Sequence, residues 1–563
     1  MEQMRLQTKV ILSYSVVYPD RHDKIEDLLD TVPSNSAIEF VATLISWKNR
    51  QLITQKEYEV WFPWVLQCRD EVKNPIGQYM AGEDGNKYEF IDRYALLSLL
   101  DKILCCYNNG SDELNEDDKS NLLLAYLICC DERLEYGKKL PDNTMSAEEF
   151  VRRFLPIELR TNDVEATKDY RLQLIKCYSL LIEFPKVNER FAGYVKAFCE
   201  DLGLKDAKEY LDQLFMMNFD LMGAQQGTAV MEIDKGCEQS IRFIERFTLD
   251  VRSYKHTGNF NAFSEFPVLK TGPNRFVFLS IKQFLDKAFT GLMFDMADAL
   301  GRRGVFKQKN AYPDLKGFVG EEFSERYLFY MLMERCFGKE YVKYRGTELN
   351  SLVGKGEPDY YMRKGNRIFV FECKDAILAN RYKLSGDYDQ VIKGVEEKFV
   401  SNDKSEPKGI TQLANTIESK LPRILGDVDK AAPKSVMYIF PILVYFDSSF
   451  DPEGVNWHLN GRFKELMSVK RISPDYVVKD LMMINIEQLM RLENFFADGK
   501  LKLAAVINDY IDYKERSELN QVFPFNKFIF QEARKKGYEM RKSRWFDNVY
   551  ESLKTMDKKE EFL

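Results

Sequence analysis

Through the first 220 residues, apolar side chains recur at helical spacing. Residues 37–48, 91–107, 120–135, 147–154, 167–184 and 188–202 are predicted helices, punctuated by Asp- and Asn-rich segments such as 108–118. Between about 223 and 300 the texture changes. Residues 275–281 are β-branched and aromatic, and the turn signal Thr271-Gly272-Pro273 precedes them. From Lys316 onward the order becomes specific: a helix over 318–336, a short strand over 341–346, and strands over 357–362 and 367–374. A helix over 409–421, stopped by Pro422, and an apolar strand over 436–446 follow. Beyond these, 455–467 and 486–496 read as helices, 476–484 as a strand and 526–553 as a closing helical region. The expected architecture is α/β, with an αβββαβ core in the C-terminal half and a mainly α-helical region before it. Three spans are expected: 1–222, mainly helical; 223–305, mixed and connecting; and 306–563, the α/β domain with a helical extension.

The segment from Gly356 to Lys374 holds the chemistry. Gly365-Asn366 is a two-residue hairpin signal, because glycine supplies the positive φ that a type II′ turn needs at its first central position. With that turn, Lys364 faces Arg367 and Asp359 lies opposite Glu372. Directly opposed residues bring their Cβ atoms to about 4.5–5.5 Å, and two carboxylates so placed repel unless a cation joins them. Alternation puts Lys374 on the face of Glu372, and turns Phe369, Phe371 and Cys373 to the other. Oxygen donors of this kind suit Mg²⁺ or Mn²⁺, and an adjacent ammonium suits phosphodiester hydrolysis. The competing expectation is an ordinary polar alternation on a solvent-facing edge strand. Pro-Asp recurs at Asp20, Asp142, Asp314 and Asp475, but none of these precedes an apolar strand ending in Glu-x-Lys.

Composition narrows the picture. The chain has 563 residues, 45% of them apolar, and a net charge of −7. Residues 301–563 carry 45 Lys and Arg against 40 Asp and Glu, and the first 300 carry 36 against 48, so a polyanion is expected to meet the C-terminal half. Ten cysteines without a CxxC spacing, and only three histidines, argue against structural zinc and for core thiols in a reducing compartment. With no signal peptide and no long apolar run, a cytoplasmic protein without a membrane partner is expected. No Walker A pattern is present.

Around Asp359, Glu372 and Lys374 the chain resembles the PD-(D/E)XK, restriction-endonuclease-like nuclease superfamily, over about residues 310–450. The resemblance implies an αβββαβ core and a divalent metal, Mg²⁺ with Mn²⁺ as substitute, held by Asp359, Glu372 and the backbone carbonyl of Cys373. It also implies a further glutamate on the preceding helix. Lys316-Gly317-Phe318-Val319-Gly320-Glu321 looks like the entry segment of archaeal Holliday-junction resolvases and their restriction-enzyme relatives. At 100° per residue Glu321 begins an apolar stripe, and Glu322 lies between stripes, so Glu321 is the expected third acid. Some members carry Gln-x-x-x-Tyr on the next helix; here Gln412 is followed by Thr416, which departs from that pattern.

Gln412, Tyr382, Lys383, Lys393 and Lys398 are candidate nucleic-acid contacts. Arg541, Lys542 and Arg544 form a basic cluster beside Trp545, which either stacks on a base or packs on the core. The expected function is Mg²⁺-dependent hydrolysis of nucleic acid, DNA rather than RNA, by an endonuclease serving defence against foreign DNA. The N-terminal helical half then supplies recognition of a protein partner, target choice or autoinhibition. The alternative is a scaffold that binds without cleaving.

Overall fold

The computed structural model describes residues 10–49, 61–82, 88–134, 145–165, 168–223, 228–256, 258–431, 436–539 and 543–560. The C-terminal half is built on one mixed sheet of six strands: β1 (Val342–Arg345), β2 (Tyr360–Lys364), β3 (Arg367–Lys374), β4 (Met437–Tyr445), β5 (Tyr476–Val478) and β6 (Met482–Asn485). The order is β5-β4-β3-β2-β1, with β6 also paired to β4; β1, β2 and β3 are antiparallel, whereas β3, β4, β5 and β6 run parallel. Helices precede β1 and separate β3 from β4, and one short helix, Gly346–Val353, stands between β1 and β2. A parallel step requires a crossover, which the helices at Tyr388–Phe399 and Gly409–Asn415 supply.

Strand β3 is interior, which rules out the edge-strand expectation. Its alternation sorts two cores: Phe369, Phe371 and Cys373 enter one with Phe329 and Met362, and Ile368 and Val370 enter another with Tyr361, Ile410 and Leu413. Both faces of the sheet are therefore covered, as parallel strands require.

Three boundaries differ from the sequence expectation. The helix ahead of β1 is not uniform: Ala311–Phe318 and Phe329–Cys336 are α-helical, and Val319–Leu328 between them is a π-helix. Pro422 does not stop its helix, which continues through Leu421–Arg423 into π-turns at Ile424–Val428; Pro422 falls in the first turn of that segment, where no N–H donor is required. The strand expected over 476–484 is split into β5 and β6.

The apolar cores also cross the expected divisions at 222 and 305. One core joins Leu172, Phe198 and Leu214 with Leu300, Phe323, Phe371 and Val549, and another joins Phe150 and Leu155 to the sheet. A third core holds the N-terminal lobe from Leu12 to Cys130. A small antiparallel sheet, Val230–Glu232, Val268–Lys270 and Arg275–Phe278, partitions the lobes: Phe276 and Phe278 face the C-terminal core, Val277 and Leu279 the N-terminal one. A fragment beginning near residue 300 is therefore expected to lose its cooperative melt and to bind a hydrophobic dye, because the partners of Phe323, Phe329 and Leu332 are cut away. Circular dichroism melting against the full chain checks this.

Seven of the ten cysteines are buried, all ten are unbridged, and no helix among the described residues is long and apolar enough to cross a membrane.

Candidate metal centre

The hairpin forms in the expected register. Gly365 takes φ +62°, Lys364 pairs with Arg367, and the ladder runs to Tyr360 opposite Phe371. Asp359 is the next residue, just beyond the ladder, facing Glu372 and Cys373. Its Oδ2 accepts the Cys373 N–H at 2.7 Å. The main chain of Asp359 is held from the other side, where the Gly346 N–H donates to its carbonyl at 2.8 Å. Glycine is required there: a Cβ on residue 346 would stand 2.8 Å from the Pro358 oxygen and 3.1 Å from Asp359 Cα.

Lys374 bridges the pair, with Nζ 2.7 Å from Glu372 Oε1 and 3.8 Å from Asp359 Oδ2. Glu372 is 2% exposed. Burial pushes its carboxyl up to about 8, helped by the charge of Asp359 and opposed by Lys374. Burial likewise raises the Asp359 carboxyl, against the pull of Lys374 and the Cys373 N–H. Against its own desolvation, the Lys374 ammonium is held well above its ordinary range by Glu372, Asp359 and Glu325.

Glu325, not Glu321, is the third carboxylate of this cluster. Desolvation lifts Glu325 to about 8; Lys374 lowers it, the charges of Asp359 and Asp375 raise it, and the Asp375 N–H donates to it. Glu321 is 60% exposed at its side chain and pairs with Arg326 at 2.6 Å. The two glutamates differ in depth and partner rather than in helix face, since Glu325 lies against Lys374 and Asp359 whereas Glu321 is taken by Arg326. Glu321 lines the same cleft as Gly320 and Glu325, but it stands exposed there, away from Lys374 and Asp359. Glu322 pairs outward with the same arginine.

A cleft of about 440 Å³ opens over Asp359, Lys374 and Glu325, with Glu372 buried beneath them, and Arg326, Lys408 and Gln412 lie on its walls. Gln412 thus reaches the site, although its Oε1 already accepts the Gly409 N–H at 2.8 Å. The remaining candidates are dispersed. Lys383 is buried and lines a different cavity, Lys393 is exposed, and Lys398 is half-buried. Tyr382 is buried with its hydroxyl donating to Glu397 at 2.6 Å. Arg544 pairs with Asp498 at 2.5 Å, and Trp545 packs on the core under Arg335, so the stacking role is replaced by the packing one. Arg541 and Lys542 lie outside the described residues.

Asp375, missed in the sequence, is 3% exposed at its side chain. It accepts from Ser324 Oγ at 2.6 Å and pairs with Lys316 at 2.6 Å. It ties the π-helix to the end of β3. The signal was available in the Glu-x-Lys-Asp run, but its partners lie more than fifty residues away.

As they stand, no three acidic, imidazole or thiol groups among the described residues converge around one point. The donor set nonetheless fits a hard divalent cation: Asp359, Glu372 and Glu325 are oxygen donors whose negative charges are costly where they are and mutually repulsive. A pH effect follows in the metal-free protein. Glu372 and Glu325 both titrate near 8 when folded, above their ordinary value of 4.5. Their stabilising contribution is complete below the unfolded value and is lost as pH climbs through the folded one. In chelator the melting temperature should therefore fall between about pH 4.5 and pH 8, and fall less in Glu372→Gln. Thermal scans of the two proteins side by side test it.

No protein-family model, no curated protein and no solved structure matches this chain.

Proposed function

We propose that the chain is a divalent-metal-dependent nuclease that hydrolyses phosphodiesters in DNA. One observation carries this reading: Asp359, Glu372 and Lys374 meet at the end of an interior hairpin, under a cleft, with Glu325 joining them from the preceding helix. Asp359, Glu372 and Glu325 would hold Mg²⁺ or Mn²⁺, together with the Cys373 carbonyl that the family resemblance implies. A metal there supplies Lewis acidity toward a phosphate oxygen and toward water.

The chain's own groups do the rest. Lys374 offers an ammonium to the charge that develops on the phosphate, in a setting where desolvation makes each interaction stronger than in water. The Cys373 N–H and Gly346 N–H fix Asp359 from both sides, so the carboxylate is set before substrate arrives. Asp375 holds the π-helix, and with it Glu325, against β3. Lys408 and Arg326 on the cleft walls are placed to meet phosphates, which position a strand without reading its sequence. A role in defence against foreign DNA, with the N-terminal lobe engaging a partner, extends the same proposal by analogy.

The test is cleavage of supercoiled plasmid, linear duplex, single-stranded DNA and RNA by the full chain. Activity should require Mg²⁺ or Mn²⁺, vanish in EDTA and return when metal is restored in excess. Cleavage that persists in EDTA would overturn the reading, and binding without cleavage of any substrate would leave a scaffold.

A further inference from the structure

A second and larger cavity, about 1220 Å³, lies beside the cleft, and Lys316 and Asp375 line both. Its floor is the rim where the parallel strands end. Asp375 follows β3, Asp447 follows β4, and Glu487 and Gln488 follow β6. In open α/β sheets this rim, outside the carboxyl ends of the strands, is where ligands bind. The roof comes from helices of the chain's first 302 residues, including Tyr170–Tyr178 and Thr290–Arg302.

The lining is unusual for an interior. Lys176 pairs with Glu487 at 2.5 Å, Lys287 with Asp295 at 3.0 Å, and Lys168 with Asp286. The Lys176 and Lys287 side chains are 3% and 2% exposed. Burying ion pairs rarely repays their desolvation as stability, so several around one hollow call for another use. Four side-chain atoms of lining residues are buried beneath the wall with no hydrogen-bond partner among the described residues: Gln488 Nε2, Arg491 Nε, Asp295 Oδ2 and Asp286 Oδ1, the last of which meets the Lys168 ammonium. Gln488 is itself 7% exposed. Phe294 is 48% exposed on the same wall, its ring stacked on Tyr312 at 4.2 Å and 5°.

We infer that this cavity is a nucleotide site, separate from the metal centre. The lining selects one chemistry: ten Lys and Arg side chains against nine carboxylates, whose ion pairs a phosphate enters by exchange, the Gln488 amide for a base edge, and Phe294 as a flat aromatic platform for its ring. The volume exceeds the roughly 300–1,000 Å³ of pockets for drug-sized ligands, which leaves room for more than one nucleotide unit. A free nucleotide and the unpaired end of a substrate strand share this chemistry. The inference does not depend on cleavage, because binding at the cavity uses none of Asp359, Glu372 or Lys374.

The experiment is calorimetric titration of the full-length protein in EDTA with adenosine and guanosine 5′-monophosphates and with a 5′-phosphorylated single-stranded tetranucleotide. Gln488→Leu and Phe294→Ala should each weaken binding by about tenfold or more, the cost of a lost base-edge contact or stacking platform, with melting temperatures retained. Lys364→Ala, at the hairpin turn on the opposite end of β3 and on neither cavity, should leave binding unchanged. Binding of the monophosphates identifies a free nucleotide as the occupant, and binding of the tetranucleotide alone identifies a strand end. Absence of binding by all three probes, or binding that survives both cavity variants, overturns the site. Cleavage measured separately in Mg²⁺ reports on the nuclease reading whichever way this result falls.

Discussion

Lys374→Ala should reduce DNA cleavage by at least a hundred- to a thousand-fold, the cost typical of losing one preorganised partner of developing transition-state charge. The fold should survive, for a reason visible in the site. Removing the ammonium strands Glu372, which is 2% exposed, but this carboxyl already titrates near 8 and takes a proton in place of the lost ion pair. The melt of the variant should therefore match the parent below about pH 7 and fall behind it above about pH 8, as an uncompensated buried charge appears. Asp359→Asn should abolish cleavage equally and melt normally, since the amide oxygen still accepts the Cys373 N–H that Asp359 accepts at 2.7 Å. Single-turnover cleavage with Mg²⁺, run beside thermal melts at two pH values, decides both. A Lys374→Ala protein that is unfolded at low pH would mark a structural ion pair instead.

The second large effect separates two glutamates four residues apart. Glu325→Gln should lower apparent metal affinity and cleavage by about a hundredfold or more, because even outer partners of metal ligands cost ten- to a hundredfold. Glu321→Gln removes only an exposed pair with Arg326 and should change cleavage less than about threefold. Metal titrations of cleavage for both variants give the comparison, and equal losses would return the third acid to Glu321.

That reversal shows where the sequence was readable and where it was not. The hairpin was legible because Gly365-Asn366 fixes its turn, and a fixed turn propagates register to every pair, down to Asp359 beyond the last one. β3 was legible for the same reason that it is buried on both faces: its side chains alternate between two cores. The π-helix over Val319–Leu328 was not, because apolar spacing there satisfies a helix of 3.6 residues per turn nearly as well, and only long-range packing chooses the wider turn. Asp375 and the nucleotide cavity were invisible for a different reason. Their parts come from Lys168, Lys176, Asp295, Lys316 and Gln488, which no local pattern connects. The separation into helical and nuclease halves followed charge and texture, and the cores ignore it, joining Phe198 and Leu214 to Phe371.

The thin sheet between the lobes has a consequence for how the molecule comes apart. Arg275–Phe278 gives alternate side chains to opposite sides, so its pairing with Val230–Glu232 and Val268–Lys270 is a statement about both lobes at once. A slip of one residue would send Phe276 and Phe278 into the N-terminal core and pull Val277 out of it. Neither lobe can keep its own contents in place while the other is molten, and a polar substitution at Val277 should be felt as lost protection from hydrogen exchange on the far side of the wall, around Phe276 and Phe284. The partition that keeps the two interiors apart in space makes them one unit in stability.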